Sequence, residues 1–194
     1  MMNTTLSAAT GGMTVFLLRF VITKKYDCAA LCNGILAGLV SVTAPCSNVE
    51  SGSAVLIGLL GGCIFVGSAA LIKKLKIDDP VDAFSVHGAC GIWGCLAAAL
   101  FDFGAGTDKH HGWGGFSATS YEEEGEVKYM TTGDALAANL AEIAFVIVWS
   151  GGLSLVIFGV MKATGFLRID EETETSGMDT ECASPTAYNI KQQA

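Results

Sequence analysis

Five stretches of this sequence run for 18 to 22 residues without a single Asp, Glu, Lys or Arg: Met1 to Leu18, Cys28 to Val49, Ser51 to Ile72, Ala83 to Phe101 and Ile143 to Met161. A helix crossing a hydrocarbon core of ~30 Å takes about 20 apolar residues, so each run has spanning length. The strongest are Ser51 to Ile72 and Ile143 to Met161. The first run opens on a polar Asn-Thr-Thr, and no Lys or Arg precedes its apolar part, so it lacks the positive n-region of a signal peptide. The spacing predicts an all-α membrane protein with five transmembrane helices, over about 4–22, 28–49, 51–72, 81–101 and 138–162, within a membrane region of residues 1–162. Composition agrees: 15% of residues are charged, against roughly 25% in soluble domains, and 24 of 194 are glycine, well above a usual share of about 7%.

The net charge of -8 has two sources outside the apolar body. Seven acids and two lysines lie between Asp102 and Asp134, and six acids stand beside Arg168 and Lys191 from Ala163 onward. The rest is nearly neutral, which leaves no basic face for nucleic acid. Lys and Arg flank alternate junctions: Arg19, Lys24 and Lys25, then Lys73, Lys74 and Lys76, then Lys162 and Arg168, with only Lys109 and Lys128 opposite. By the positive-inside rule, the tail 163–194 is then cytosolic, the acidic loop 102–134 is extracellular, and the N-terminus starts outside.

Small residues recur at four-residue spacing within the runs, as Gly34 and Gly38, Gly58 and Gly62, and Gly88, Gly91 and Gly94. In lipid such positions let helix backbones approach closely. Six of the seven cysteines (Cys28, Cys32, Cys46, Cys63, Cys90 and Cys95) lie in the runs, Cys182 lies in the tail, and no CxxC pair occurs, so they read as small packing residues. No metal, cofactor or nucleophile motif is present, including at the adjacent His110 and His111.

Titratable groups inside a span are costly, and His87 is the one too deep to reach an interface. Eight residues past Asp79, or ~12 Å along a helix, it is either hydrogen-bonded packing or the lining of a conduction path. Upstream, Asp79 is placed to cap a helix, Pro80 suits its first turn, and Asp82 adds negative charge near its positive end.

The string DDPVDAFSVHGACGIWG, Asp78 to Gly94, closely resembles the histidine-bearing helix of the ammonium transporter family (Amt, Mep and Rh proteins). Asn3 to Gly12, Cys32 to Cys46, Ala144 to Gly152 and Leu167 to Asp179 resemble further blocks in family order and spacing. The resemblance implies the final five helices of a fold of about eleven, built from two inverted repeats with the pore between them. His87 matches the second histidine of a central pair, and the first half of the transporter, with the first histidine, the outer aromatic cage and the phenylalanine gate, is missing here. It implies ammonium and ammonia as substrate, a homotrimer in the complete protein, residence of a multi-pass chain in the plasma membrane, no cofactor, and a regulatory tail in which Gly177, Asp179 and Tyr188 fit the pattern. Ala183, Ser184 and Pro185 stand where the family commonly has His, Gly and Glu. Two readings follow: the C-terminal part of an ammonium transporter, or a truncated, non-transporting membrane protein that associates with or modulates full-length transporters. An intramembrane enzyme using His87 and Asp82 lacks every accompanying group.

Overall fold

The computed structural model describes residues 1–101, 119–123, 126–130 and 132–177. The chain divides into two compact units, Met1–Ala144 and Phe145–Ala194.

The first unit is a helical bundle. Helix α1 (Met2–Thr23) packs between α2 (Cys28–Thr43) and α3 (Ser51–Lys74), and a π-helical segment, Phe84–Ala89, runs directly into α4 (Cys90–Leu100). Glycine and serine set how near these helices lie. A Cβ at Gly11 would stand 2.7 Å from the Gly34 carbonyl oxygen and 2.8 Å from Gly38 Cα, so α1 and α2 are in backbone contact. Ser7 Oγ, fully buried, donates to the Gly38 carbonyl at 2.7 Å across that seam. On the other side of α1, Gly62 faces Thr14 and the Gly11 carbonyl, and Gly58 faces Ser7 and Thr10. Thr10, Thr14 and Ser41 donate back to carbonyls of their own helices, of Leu6 at 3.0 Å, Thr10 at 2.7 Å and Ala37 at 2.7 Å. No buried side-chain N or O atom among the described residues lacks a hydrogen-bond partner. A bilayer demands that economy, because its interior offers no water to satisfy a stray polar group.

Apolar packing fills what the glycines bring together. Val15, Ala30, Ala37, Phe65, Val86 and Cys90 form one cluster, and Val42, Val49, Ala54, Ile57 and Ala97 another. Trp93 spans the second, its Nε1 donating to the Ile57 carbonyl at 3.1 Å.

Helix α2 stops six residues short of the predicted end at Val49. Pro45 has no N–H to continue the ladder, and its own carbonyl accepts from Asn48 and Val49 N–H at 2.9 and 3.1 Å, closing a turn. The polar start of the first run explains what holds this turn. Asn3 Nδ2 donates to the Cys46 and Val49 carbonyls at 3.0 and 2.7 Å, and Asn3 Oδ1 accepts from Ser51 Oγ at 3.2 Å. At the other end of the bundle, Arg19 pairs with Asp27 at 3.3 Å, and Asp27 Oδ1 caps α2 by accepting from Ala30 N–H at 3.0 Å. The Ala30 amide above all holds the Asp27 carboxyl below the ordinary carboxylate value; burial opposes it, and Arg19 adds to the lowering.

The predicted loop 102–134 contains regular structure that hydropathy did not anticipate. Strands β1 (Thr119–Glu123) and β2 (Glu126–Met130) pair antiparallel, Thr119 opposite Met130 and Glu123 opposite Glu126. Thr, Tyr and Val in these segments are strand formers. Helix α5 (Thr132–Ala163) follows, starting six residues before the expected span. Its Asn139 Nδ2 donates to the Cys95 carbonyl at 2.7 Å, and Ala135 is buried.

In the second unit α5 ends in a left-handed turn at Gly165, φ 78°, where Phe166 N–H reaches the Met161 carbonyl at 2.9 Å. Helix α6 (Glu171–Ser176) begins at Asp170, whose Oδ2 accepts from Thr173 N–H at 3.0 Å and Thr173 Oγ1 at 2.8 Å. Arg168 grips Glu174 through both carboxylate oxygens, at 2.7 and 2.9 Å.

Among the described residues, three helices are long and apolar enough to cross a membrane: Met2–Thr23, Ser51–Lys74 and Gly133–Ala163. Cys28–Thr43 and Phe84–Leu100 are shorter apolar helices.

Candidate functional site

His87 lies in the π-helical segment, where the wider i→i+5 turn is an uncommon interruption that tends to occur at functional sites. Its own carbonyl accepts from Cys90 N–H, a tighter i→i−3 bond where the π segment passes into α4. One face of this helix, with Ser85, Val86, Cys90, Gly94 and Ala97, is buried against α2 and α3. Ser85 Oγ donates to Ser68 Oγ at 3.2 Å, Cys90 Sγ reaches the Gly61 carbonyl at 3.5 Å, and a Cβ at Gly94 would meet the Ser41 carbonyl at 2.9 Å. The imidazole points away from this contact. His87 is exposed, as is Phe84 one turn before it, and its side chain makes no hydrogen bond with another described residue.

The glycines flanking His87 divide accordingly. Gly34, Gly38 and Gly94 are points of close helix approach. Gly88 and Gly91 are not, among the described residues: a Cβ at Gly88 would meet only the Phe84 ring, at 3.0 Å, and one at Gly91 only Val40 Cγ1, at 3.9 Å.

The start of this helix also differs from expectation. Asp79 does cap it, Oδ1 accepting from Ala83 N–H at 2.8 Å and Oδ2 from Phe84 N–H at 2.9 Å. Pro80, however, lies in a turn before the helix and not in its first turn. Asp82 N–H bonds the Asp79 carbonyl at 3.2 Å and Asp82 takes φ 55°, a left-handed conformation through which a right-handed helix cannot run. The Asp82 carbonyl accepts from Val86 N–H at 2.9 Å, and its Oδ2 accepts from Asn33 Nδ2 at 3.3 Å. These groups border a cleft of about 580 Å³ that Arg19, Asp27, Asn33, Lys73, Asp79 and Asp82 help to line. Gly177, φ 88°, ends α6, its N–H bonding the Thr173 carbonyl at 3.0 Å. Asp179, Tyr188, His110 and His111 lie outside the described residues.

A model of the Ammonium Transporter Family matches residues 1–188. The chain belongs to the ammonium transporter family. It is 32% identical over 185 residues to ammonium transporter 1 member 1 of Oryza sativa subsp. japonica, covering 91% of this chain and 34% of that protein. Ammonium transporter 3 of Dictyostelium discoideum is 34% identical over 185 residues, covering 95% of this chain and 41% of its own length. Among solved structures, a sensor Amt protein superposes with a TM-score of 0.75 at 30% identity over all of this chain and 41% of its own. Mep2 of Candida albicans superposes with a TM-score of 0.68 at 25% identity over 97% of this chain and 42% of that one. The ammonium transporter chain in hand thus spans about a third to two-fifths of the length of the relatives it matches.

Asn33 was missed as a site residue. A search for charged residues inside apolar runs passes over a neutral amide, although an amide in a span needs a partner just as a charge does. The π turn has no composition signal of its own.

Proposed function

We propose that this chain is the C-terminal part of an ammonium transporter and forms one wall of a path for ammonium and ammonia, with His87 at that wall. The observation that carries the reading is the exposed imidazole, without a hydrogen-bond partner among the described residues, in a bundle whose buried polar side chains are all bonded within those residues. A group so costly to place mid-span is accounted for if its partner comes from the repeat that this chain lacks. The chemistry fits imidazole. An ammonium ion loses its hydration on entering a narrow apolar lumen, whereas ammonia does not carry that penalty, and a neutral imidazole can both accept and donate a hydrogen bond and pass a proton.

On this reading all five apolar helices cross the bilayer, α2 and the Phe84–Leu100 helix with the help of their adjoining turns. The protein is multi-pass in the plasma membrane, loop 102–134 is outside, and tail 163–194 is cytosolic, in keeping with eight basic residues at one set of junctions against two at the other. The complete protein is a homotrimeric transporter and not an enzyme, and the tail, with Gly177, Asp179 and Tyr188, regulates it.

The test is His87→Ala in the complete transporter. Ammonium-supported growth and ammonium-evoked currents are expected to be lost at an unchanged amount of protein in the membrane. Undiminished growth and currents would sink the assignment.

A further inference from the structure

The histidine helix is attached to the bundle at its start by a device that nothing in its own sequence requires. Asp82 is a non-glycine residue in a left-handed conformation, φ 55°, and its carbonyl bonds the Val86 amide, one residue before His87. Two side chains hold this corner. Asp79 accepts from the amides of Ala83 and Phe84 on one side. On the other, Asn33 reaches across from the middle of α2 and donates to Asp82 Oδ2. Asn33 is otherwise an unlikely residue in an apolar helix, and α2 carries no charged side chain from Cys28 to Thr43.

Together with Ser85 bonding Ser68, these ties meet residues 82–85, the segment that leads into His87, so where Asp82 is held bears on how the first turn aims the imidazole. The hydrogen bond also selects one conformation at a corner where a Cβ-bearing residue gains little by itself. Freed from Asn33, Asp82 can return to a right-handed or extended conformation, which rotates the first turn of the helix and swings the imidazole with it.

We infer that Asn33 is a positioning residue for His87, acting through Asp82. This rests on the reading of His87 as a group lining the path. An error of about 1 Å in the placement of a reacting group can cost a hundredfold in rate, so the expected effect of losing the tie is a ten- to hundredfold fall in transport.

The experiment uses the complete transporter, with uptake of labelled methylammonium or ammonium-evoked current measured per unit of folded protein recovered by size-exclusion chromatography. Asn33→Ala is expected to lose ten- to hundredfold in rate. Asn33→Asp alone sets two carboxylates against each other and is expected to lose at least as much. Combined with Asp82→Asn, which restores one donor and one acceptor in reversed order, it is expected to return within about threefold of the parent. Should Asn33→Ala fold poorly, Asp82→Gly removes the carboxylate at a position whose φ glycine tolerates, and the same loss of rate is expected from folded protein. An Asn33→Ala rate equal to the parent's, or a reversed pair no better than Asn33→Asp, overturns the inference. His87→Ala run alongside separates the two levels: if it too is without effect, the pore reading has failed, and if it abolishes transport while Asn33→Ala does not, only the positioning role has.

Discussion

Replacing Gly11 by alanine adds one methyl group where the backbones of α1 and α2 touch. That carbon would lie 2.7 Å from the Gly34 carbonyl oxygen, 2.8 Å from Gly38 Cα and 2.9 Å from Gly38 N. All three are backbone atoms, so no side chain can swing aside. Reaching ordinary van der Waals contact requires the helices to part by roughly 0.7 Å, a gap that forfeits a quarter to a half of the attraction along the seam. Overpacking of this kind costs about 1–3 kcal/mol, and stretching the Ser7 to Gly38 hydrogen bond from 2.7 Å adds about 1 kcal/mol. The better helix propensity of alanine returns about 1 kcal/mol. The net expectation is a loss of about 1–3 kcal/mol. Gly67 is the control: it lies in α3 with nothing within 4 Å of its virtual Cβ, so Gly67→Ala keeps only the propensity gain of about 1 kcal/mol. Both variants are compared by SDS titration of protein in mixed micelles, followed by circular dichroism. A gap of about 2–4 kcal/mol between them is expected. If Gly11→Ala is as stable as Gly67→Ala, the backbone contact does not govern the seam.

Two further outcomes follow from the ends of helices. Lys76 closes α3 in a left-handed conformation, φ 57°, with Ile77 N–H on the Ile72 carbonyl at 3.2 Å, so Lys76→Gly is expected to stabilise by about 1 kcal/mol in the same titration. The Asp170 carboxyl is held below its ordinary value of 3.8, first by the Thr173 amide and then by the Thr173 hydroxyl. A carboxyl whose folded value is lowered contributes fully above its unfolded value and loses that contribution as pH falls through the folded one. Protection of the Thr173 amide from hydrogen exchange is therefore expected to hold at neutral pH and to be lost only as pH falls through the lowered folded value, below the ordinary 3.8, while Asp170→Asn should show no such step.

The sequence exposes some levels of this structure better than others. Charge-free length marked where the helices from α1 to α5 lie, three of them long and apolar enough to cross a membrane, because a helix in hydrocarbon leaves a long trace without charge. It did not place the end of α2, where Pro45 acts through a missing N–H that hydropathy does not weigh. Glycine spacing marked Gly34 and Gly38 as contact points but not their partners, Gly11 and Ser7, because a partner is a property of two helices and a spacing belongs to one. His87 stood out because its side chain is expensive in a span. What aims it did not stand out: the π turn is a hydrogen-bond pattern, the positive φ of Asp82 is a backbone state, and Asn33 is uncharged and lies 49 residues upstream of Asp82.

On the proposed reading, the exposed side of His87 is completed by residues beyond this chain and lines the ammonium path. A cryo-EM structure of the complete transporter tests it most directly. A second imidazole is expected within hydrogen-bonding distance of His87, about 3 Å between ring nitrogens, at the interface of the two repeats. A His87 ring turned to lipid, or closed over by apolar side chains with no polar partner, would contradict it.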